Sequence, residues 1–486
     1  MRSRIIIVYL LLHLLPSTEF FAYCKGECLS PLSYSILDAT SGVERYRALE
    51  RCHRDAVKRN APISYAGIKT LDIEIPAGAE SIPLPDEVDF AGVQLNVLNT
   101  QRGFVLFTST KGSSPVQVTK ASIDSGVFAD DAEFSKGLHL LIIEDGTPWV
   151  KNREGYDYGA TRRDVLVVED GVAKNRVTSP YDNECSSPKT SFVQVGSQKT
   201  YRNLKFGRDP KSTKITYLFA INNSYDVTIS DIAIKTPQDN DLYGDAAIQI
   251  KNSAKVRMAD ITIDGTYSQS GKYGYGINLD NVAMFSGERI HARARWGVFG
   301  TNNMNGAVLR DCDINRFDIH CYGKDVSCYD CRFSDLYNQF SSVFGDVYFE
   351  KCTFTNFIPV LIESSYNAYT PFDLTFKECT FNLTAKRNYL MTLFGLEASH
   401  NSRPELSRKA LPNITIKNCT VNLAEDVKDW YIINTGRVSY KEPLDYIKKI
   451  EVNRLKIAGN IDYRIFSTEL ETTEPLKLVR KRVMLK

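Results

Sequence analysis

The chain has 486 residues and a formal net charge of +2, enough for one large domain or roughly two to three ordinary ones. A balance this close to neutral excludes a global field that would draw nucleic acid or an anionic membrane. Its 26 Tyr and 24 Phe suit a β-rich protein.

The N-terminus carries Arg2 and Arg4, then an apolar run from Ile5 to Leu15. That is the layout of a signal peptide over residues 1–23, with cleavage near Ala22. The run is too short for a comfortable membrane span, and no later segment reads as transmembrane. The expected location is the periplasm, the outer surface or the medium. Cys24 is a candidate for a lipid anchor, although Tyr23 is a poor neighbour for that modification. The eleven cysteines are an odd number, so at least one stays unpaired within a monomer.

Residues 24–70 read as an N-terminal segment with a capping helix. Ser41 and Glu44 have the spacing of a capping box. Val43, Tyr46, Leu49, Cys52, Ala56 and Val57 form an apolar stripe, and Asn60 with Pro62 ends it. Leu71–Gly78 (LDIEIPAG) follows as a strand and turn. Residues 80–225 are less regular. GVQLNVLN, GFVLFTST, LHLLIIEDG and DVLVVEDG look like strands, either coils with large insertions or a small extra β-element.

From residue 226 to 465 the sequence repeats. VTISDIAI (227–234), VRMADITI (256–263), MFSGERIHA (284–292), AVLRDCDI (307–314), VSCYDCRF (326–333), VYFEKCTF (347–354), LTFKECTF (374–381), ITIKNCTV (414–421) and IEVNRLKI (450–457) share one pattern. Apolar-x-apolar, a two-residue bend and apolar-x-apolar describe two short strands around a tight corner. Repeats of this kind mark a solenoid. The expected fold is all-β: a single-stranded right-handed parallel β-helix over residues 71–475, with an N-terminal capping helix and long loop insertions. Residues 476–486 form a basic tail, a strand cap or a loose end. The inward residue after the bend is Cys312, Cys331, Cys352, Cys379 and Cys419 in five successive repeats. They should stack in one interior column, mostly as free thiols. Cys328 and Cys331 have a zinc-like spacing, but each fits the repeat as a small buried hydrophobe.

A third strand precedes each bend. Aligning AAIQIK (246–251), YGINLD (275–280), WGVFGT (296–301) and FDIHCY (317–322) gives four outward columns. They are Asp245, Gly274, Arg295, Arg316; then Ala247, Gly276, Gly297, Asp318; then Gln249, Asn278, Phe299, His320; then Lys251, Asp280, Thr301, Tyr322. Arg316, Asp318, His320 and Tyr322 alternate along one strand and so share a face. Beside them the glycines leave a trough. Trp296 points inward by parity.

The capping helix, the strand ending in Pro-Ala-Gly and the repeat resemble the right-handed parallel β-helix polysaccharide lyases of the pectate-lyase superfamily. The resemblance implies an exported lyase that cleaves a uronic-acid-containing polysaccharide, such as a glycosaminoglycan, by β-elimination. Arg316 with Arg295 would hold the uronate carboxylate. His320 would remove the α-proton and Tyr322 protonate the leaving oxygen, or Tyr322 do both. Asp318 would orient His320 or Arg316, Asn278 would hydrogen-bond the sugar, and Lys324 would reach over the trough. The aspartate cluster of calcium-dependent pectate lyases is not visible, so no metal or other cofactor is expected. The expected partner is an acidic polysaccharide, not nucleic acid or a membrane. A β-helix glycoside hydrolase, or a non-catalytic glycan-binding or adhesin β-helix, are the alternatives.

Overall fold

The computed structural model describes residues 28–99, 104–148, 161–179, 181, 188–208, 217–235, 247–264, 275–293, 297–340, 343–363, 372–394, 413–435, 449–459, 461–468 and 476–485. The expected signal peptide, Cys24, Arg295 and Trp296 lie outside them. Among the described residues, no helix is long and apolar enough to cross a membrane.

The capping box forms as its residues dictate. The Ser41 hydroxyl accepts from the Glu44 amide, and the Glu44 carboxylate accepts from the Ser41 amide, each at 3.2 Å. Helix α1 (Gly42–Arg59) follows and closes on Asn60 in the left-handed conformation. Its buried face, with Tyr46, Leu49, Cys52, His53 and Ala56, lies across the first coil. There the His53 ring stacks on Phe107 at 5.4 Å. Its Nδ1 donates to the Pro83 carbonyl at 3.0 Å, which leaves Nε2 to accept from the Tyr65 hydroxyl at 2.8 Å. Burial disfavours the imidazolium and pushes the His53 pKa down to about 4.

Beyond the cap the chain winds into a right-handed parallel β-helix whose strands join one continuous sheet. The repeat register follows the sequence alignment. Leu204, Ile232, Ile261 and Ile290 are direct partners in successive coils. The column continues through Cys312, Cys331, Cys352, Cys379, Cys419 and Leu455, whose following residues pair in parallel. All are buried. The residue before each takes φ between 50° and 62° (Asn203, Asp231, Asp260, Arg289, Asp311, Asp330, Lys351, Glu378, Asn418, Arg454). Asp and Asn tolerate that left-handed corner better than other non-glycine residues, which accounts for their frequency at the bend. The eight described cysteines are free thiols. Those of Cys352, Cys379 and Cys419 each donate to a carbonyl of the preceding coil at 3.4 Å. Like side chains also stack elsewhere inside: Phe354 lies 5.2 Å from Phe333 and 4.9 Å from Phe381, nearly parallel to both.

The irregular region resolves into both expected forms. GVQLNVLN and GFVLFTST lie in coil strands Glu87–Asn99 and Val105–Thr110. LHLLIIEDG and DVLVVEDG lie in a separate antiparallel sheet. It runs Ser114–Val116, Lys189–Gln194, Leu138–Pro148, Thr161–Glu169, Val172–Ala173 in spatial order. One face packs on the short helix α2 (Lys120–Ser125) through Ile123, Phe128, Phe134, Leu166 and Val168. The other, with Leu140, Ile142, Val165 and Val167, sits against Ala254 and Ala283 at a corner of the β-helix. The basic tail is no loose end: Lys477–Lys481 and Met484–Leu485 pair with Lys449–Asn453 and Lys456–Ala458 as a further coil.

Two outcomes follow for stability. Phe354→Ala removes a ring clamped between two others and should cost about 3–5 kcal/mol, read by chemical denaturation. His53 has a depressed folded pKa, so the unfolded state binds the proton first as pH falls. Above about pH 6.5 both states are neutral and His53 contributes no pH dependence. Between about 6.5 and 4 stability should fall by roughly 3 kcal/mol, and a His53→Gln protein should lose that slope.

Candidate functional site

Strand Phe317–Tyr329 places Phe317 and Ile319 in the core, as alternation requires. Arg316 and Asp318 point to the outer face, yet they are 1 % and 0 % exposed. The expectation of an open strand face therefore fails at these two residues. They form a buried ion pair through Arg316 Nη2 and Asp318 Oδ2. Arg316 Nη2 also donates to Gln339 Oε1 at 2.9 Å, and the guanidinium lies 4.0 Å from the Tyr337 ring centre. The Tyr275 hydroxyl donates to Asp318 Oδ2 at 2.6 Å. Two glycines make this possible. A methyl on Gly300 would sit 2.4 Å from the Tyr275 ring, and one on Gly297 would sit 2.7 Å from the Arg316 side chain. The expected trough is filled by these side chains.

The register differs from the sequence alignment beyond Asp280. Gln249 with Asn278 and Lys251 with Asp280 are partners as expected. Asn278 then pairs with Gly300, and Gly300 with Asp318. Phe299 pairs with Ile277 and Phe317 and is a core residue, with its ring 5.7 Å from Phe285 and 5.5 Å from Phe317. It is not outward. Thr301 is buried too, and its hydroxyl donates to the Asp318 carbonyl at 2.8 Å. The reason is physical: the strand from Gly297 to Thr301 is buried at every position, so no period of two betrays its parity.

Asn278 thus shares the column of Asp318, not that of His320. His320 pairs with Asn302, which pairs with Asp280. The side chains of His320 and Tyr322 are outside the described residues. Lys324 reaches the insertion instead of the strand face, donating to the Val177 carbonyl at 3.3 Å. The insertion also holds Asp280 through Arg163, with contacts of 2.8 and 3.1 Å. It therefore borders the column that leads to His320.

A second cluster was absent from the sequence reading. On the face that follows the next corner, a cleft of about 430 Å³ is lined by Ser327, Tyr329, Asp346, Tyr348, Asp373 and Lys449, among others. Asp346 and Asp373 are direct partners on adjacent strands. Neither has a cation partner among the described residues. Elsewhere on the helix surface an acid meets a base one coil away: Asp226 with Lys255, Asp260 with Arg289, Glu350 with Lys377. Asp346 is held above the usual carboxylate range by partial burial, then by the charges of Asp325 and Asp373. Asp325 is a corner residue, with φ 48°, whose carboxylate accepts the Asp346 amide at 3.1 Å. Asp373 accepts from the Asn413 amide group at 3.0 Å. The Tyr329 and Tyr348 rings, 5.9 Å apart, form one wall. The signal was in the repeat itself: Asp325, Asp346 and Asp373 each stand six residues before the ladder cysteine.

No family model matches the sequence, and no curated protein matches it. Among solved structures, the chain is similar to the tailspike protein gp49 of Pseudomonas phage LKA1, with 12% identity, TM-score 0.62, and coverage of 94% of this chain and 81% of that one. It also aligns with tailspike gp61 of Pseudomonas phage phi297 (10% identity, TM-score 0.49, 91% and 82% covered). A third is tailspike gp54 of Acinetobacter baumannii bacteriophage AP22, solved with an A. baumannii capsular saccharide (11%, 0.49, 94% and 76%). The first of these likenesses is one of fold: a long parallel β-helix.

The buried pair gives a test of its structural weight. Arg316→Met alone strands the Asp318 carboxylate and should cost about 3–5 kcal/mol. Arg316→Met with Asp318→Leu should regain most of it, read by denaturant titration of both proteins.

Proposed function

We propose that this chain is an exported protein that binds an extended polysaccharide along the outer face of its β-helix and hydrolyses it, with Asp346 as general acid and Asp373 as nucleophile. One observation carries the reading: two carboxylates stacked on adjacent strands of an open cleft, without the basic partner that Asp226, Asp260 and Glu350 have one coil away. Like charges this close favour one proton between them. Asp346 is the member biased to keep it. Asn413 orients the other. Adjacent strands lie about 4.8 Å apart, close to the separation of about 5–5.5 Å that accompanies retention of configuration. Asp346 would give its proton to the glycosidic oxygen as Asp373 attacks the anomeric carbon. Water, deprotonated by Asp346, would then release the sugar from Asp373.

Elimination at His320 and Tyr322 is the second reading. It is favoured by the polar column Lys251, Asp280, Asn302, His320, which the insertion borders through Arg163. In that reading Arg316, committed to Asp318, positions the strand. Arg295 would then hold the uronate carboxylate. A protein that only binds glycan remains the third outcome of the same experiment.

The assay is release of reducing ends from a panel of neutral and acidic polysaccharides. Asp346→Asn and Asp373→Asn should each lower turnover about 10²–10⁴-fold, with retained anomeric configuration by NMR in the unaltered protein. Because the acid acts protonated, its raised pKa should carry activity to higher pH than an ordinary carboxylate would. An unsaturated product absorbing in the ultraviolet, abolished by His320→Ala or Tyr322→Phe and untouched by Asp346→Asn, would assign elimination instead.

A further inference from the structure

The outward column that contains Asp346 and Asp373 does not stay acidic. It continues through Asn413, Lys449 and Lys477 in the next coils. The next outward column but one ends in Lys417, Asn453 and Lys481. Between them stands one acid, Glu451, which accepts from Lys449 at 2.5 Å. Lys449, Lys481 and Lys417 together hold its pKa below the usual range. Three ammonium groups thus act on a single carboxylate, and Lys449 is also a wall of the cleft that holds Asp346 and Asp373. Lys417, Lys477 and Lys481 have no acidic partner within ion-pair distance among the described residues. Lysines on an edge strand discourage pairing with other chains, which accounts for Lys477 and Lys481. It does not account for Lys417, which lies on an interior strand, and Glu451 offsets only one of the lysines around it, Lys449.

We infer that Lys417, Lys449 and Lys477 form a subsite for a carboxylated sugar of an anionic polysaccharide, beside the Asp346–Asp373 pair. The inference rests on the groove being the glycan-binding face proposed above. Two strand spacings, about 10 Å, separate Asp373 from Lys449. That is the reach of a disaccharide. An anionic residue is repelled by the aspartates and drawn to the lysines, so the bound chain takes one direction along the groove. Lysine here supplies point charges to a carboxylate in a wet site, and that attraction is weakened by salt.

The test uses the full chain carrying Asp346→Asn, so that nothing is cleaved. Binding of polygalacturonate, alginate and hyaluronate is measured beside the carboxyl-reduced form of each. At least one anionic polymer should bind, more tightly than its reduced form and less tightly as salt rises. A Lys417→Met, Lys449→Met, Lys477→Met protein should bind it at least tenfold more weakly, with circular dichroism unchanged. Lys235→Met, on an exposed strand end far along the chain from the groove, should change nothing. Equal binding of the reduced polymers, or of the triple variant, overturns the subsite, as does a lack of binding by all three anionic polymers. Turnover reports separately: if Asp346→Asn and Asp373→Asn keep full activity while the lysine variant loses affinity, the hydrolytic reading fails and the subsite stands.

Discussion

Each coil of this protein must present the same inward side chains to the coil beneath it. Parallel strands pair in register about 4.8 Å apart, so whatever occupies a position in one coil lies directly over its counterpart in the next. The left-handed corner residue before each ladder position fixes where the chain turns. A slip of one residue would send a whole inward row to solvent. The cysteine column and the stacked Phe333, Phe354 and Phe381 rings are consequences of that single constraint.

The same constraint governs charge outside. Two like charges about 4 Å apart cost about 1 kcal/mol in water and more near a protein surface. Several places on the surface avoid this by alternating sign from coil to coil, as in Asp260 with Arg289. The Arg316–Asp318 pair joins opposite charges side by side and under cover, with one hydrogen bond each from Tyr275 to Asp318 and from Arg316 to Gln339. The Asp346–Asp373 contact leaves it unsolved. Two carboxylates left stacked in an open cleft give that cleft its chemical interest. Lys449 and Lys477, farther along the same column, put the opposite sign at its other end.

The insertion adds what a bare solenoid lacks. Its sheet docks on Ala254 and Ala283, where small side chains let two backbones approach. From there Arg163 clamps Asp280, and Lys324 and Asn305 reach back to insertion carbonyls. The insertion thus forms a side wall beside the strand that carries His320, on a different face from the aspartate cleft.

The sequence by itself determined the cap, the coil and the corner. Ser41 with Glu44, the recurrent Asp or Asn at the bend, and five cysteines at one phase are local signals, and the register they imply held through all nine repeats. The repeat also carried the three aspartates six residues before the ladder cysteine. Their meaning needed the stacking of coils to emerge. Parity was legible only where one face is wet. Along Gly297–Thr301 both faces are covered, so Phe299 was assigned to the wrong side and Asn278 to the wrong column. Whether Arg316 faces sugar or protein was likewise beyond any pattern of spacing. Tyr275, Tyr337 and Gln339 come from neighbouring coils, and only their convergence buries the guanidinium. Burial of an outward side chain depends on what other parts of the chain lay over it, and that is decided by tertiary contact alone.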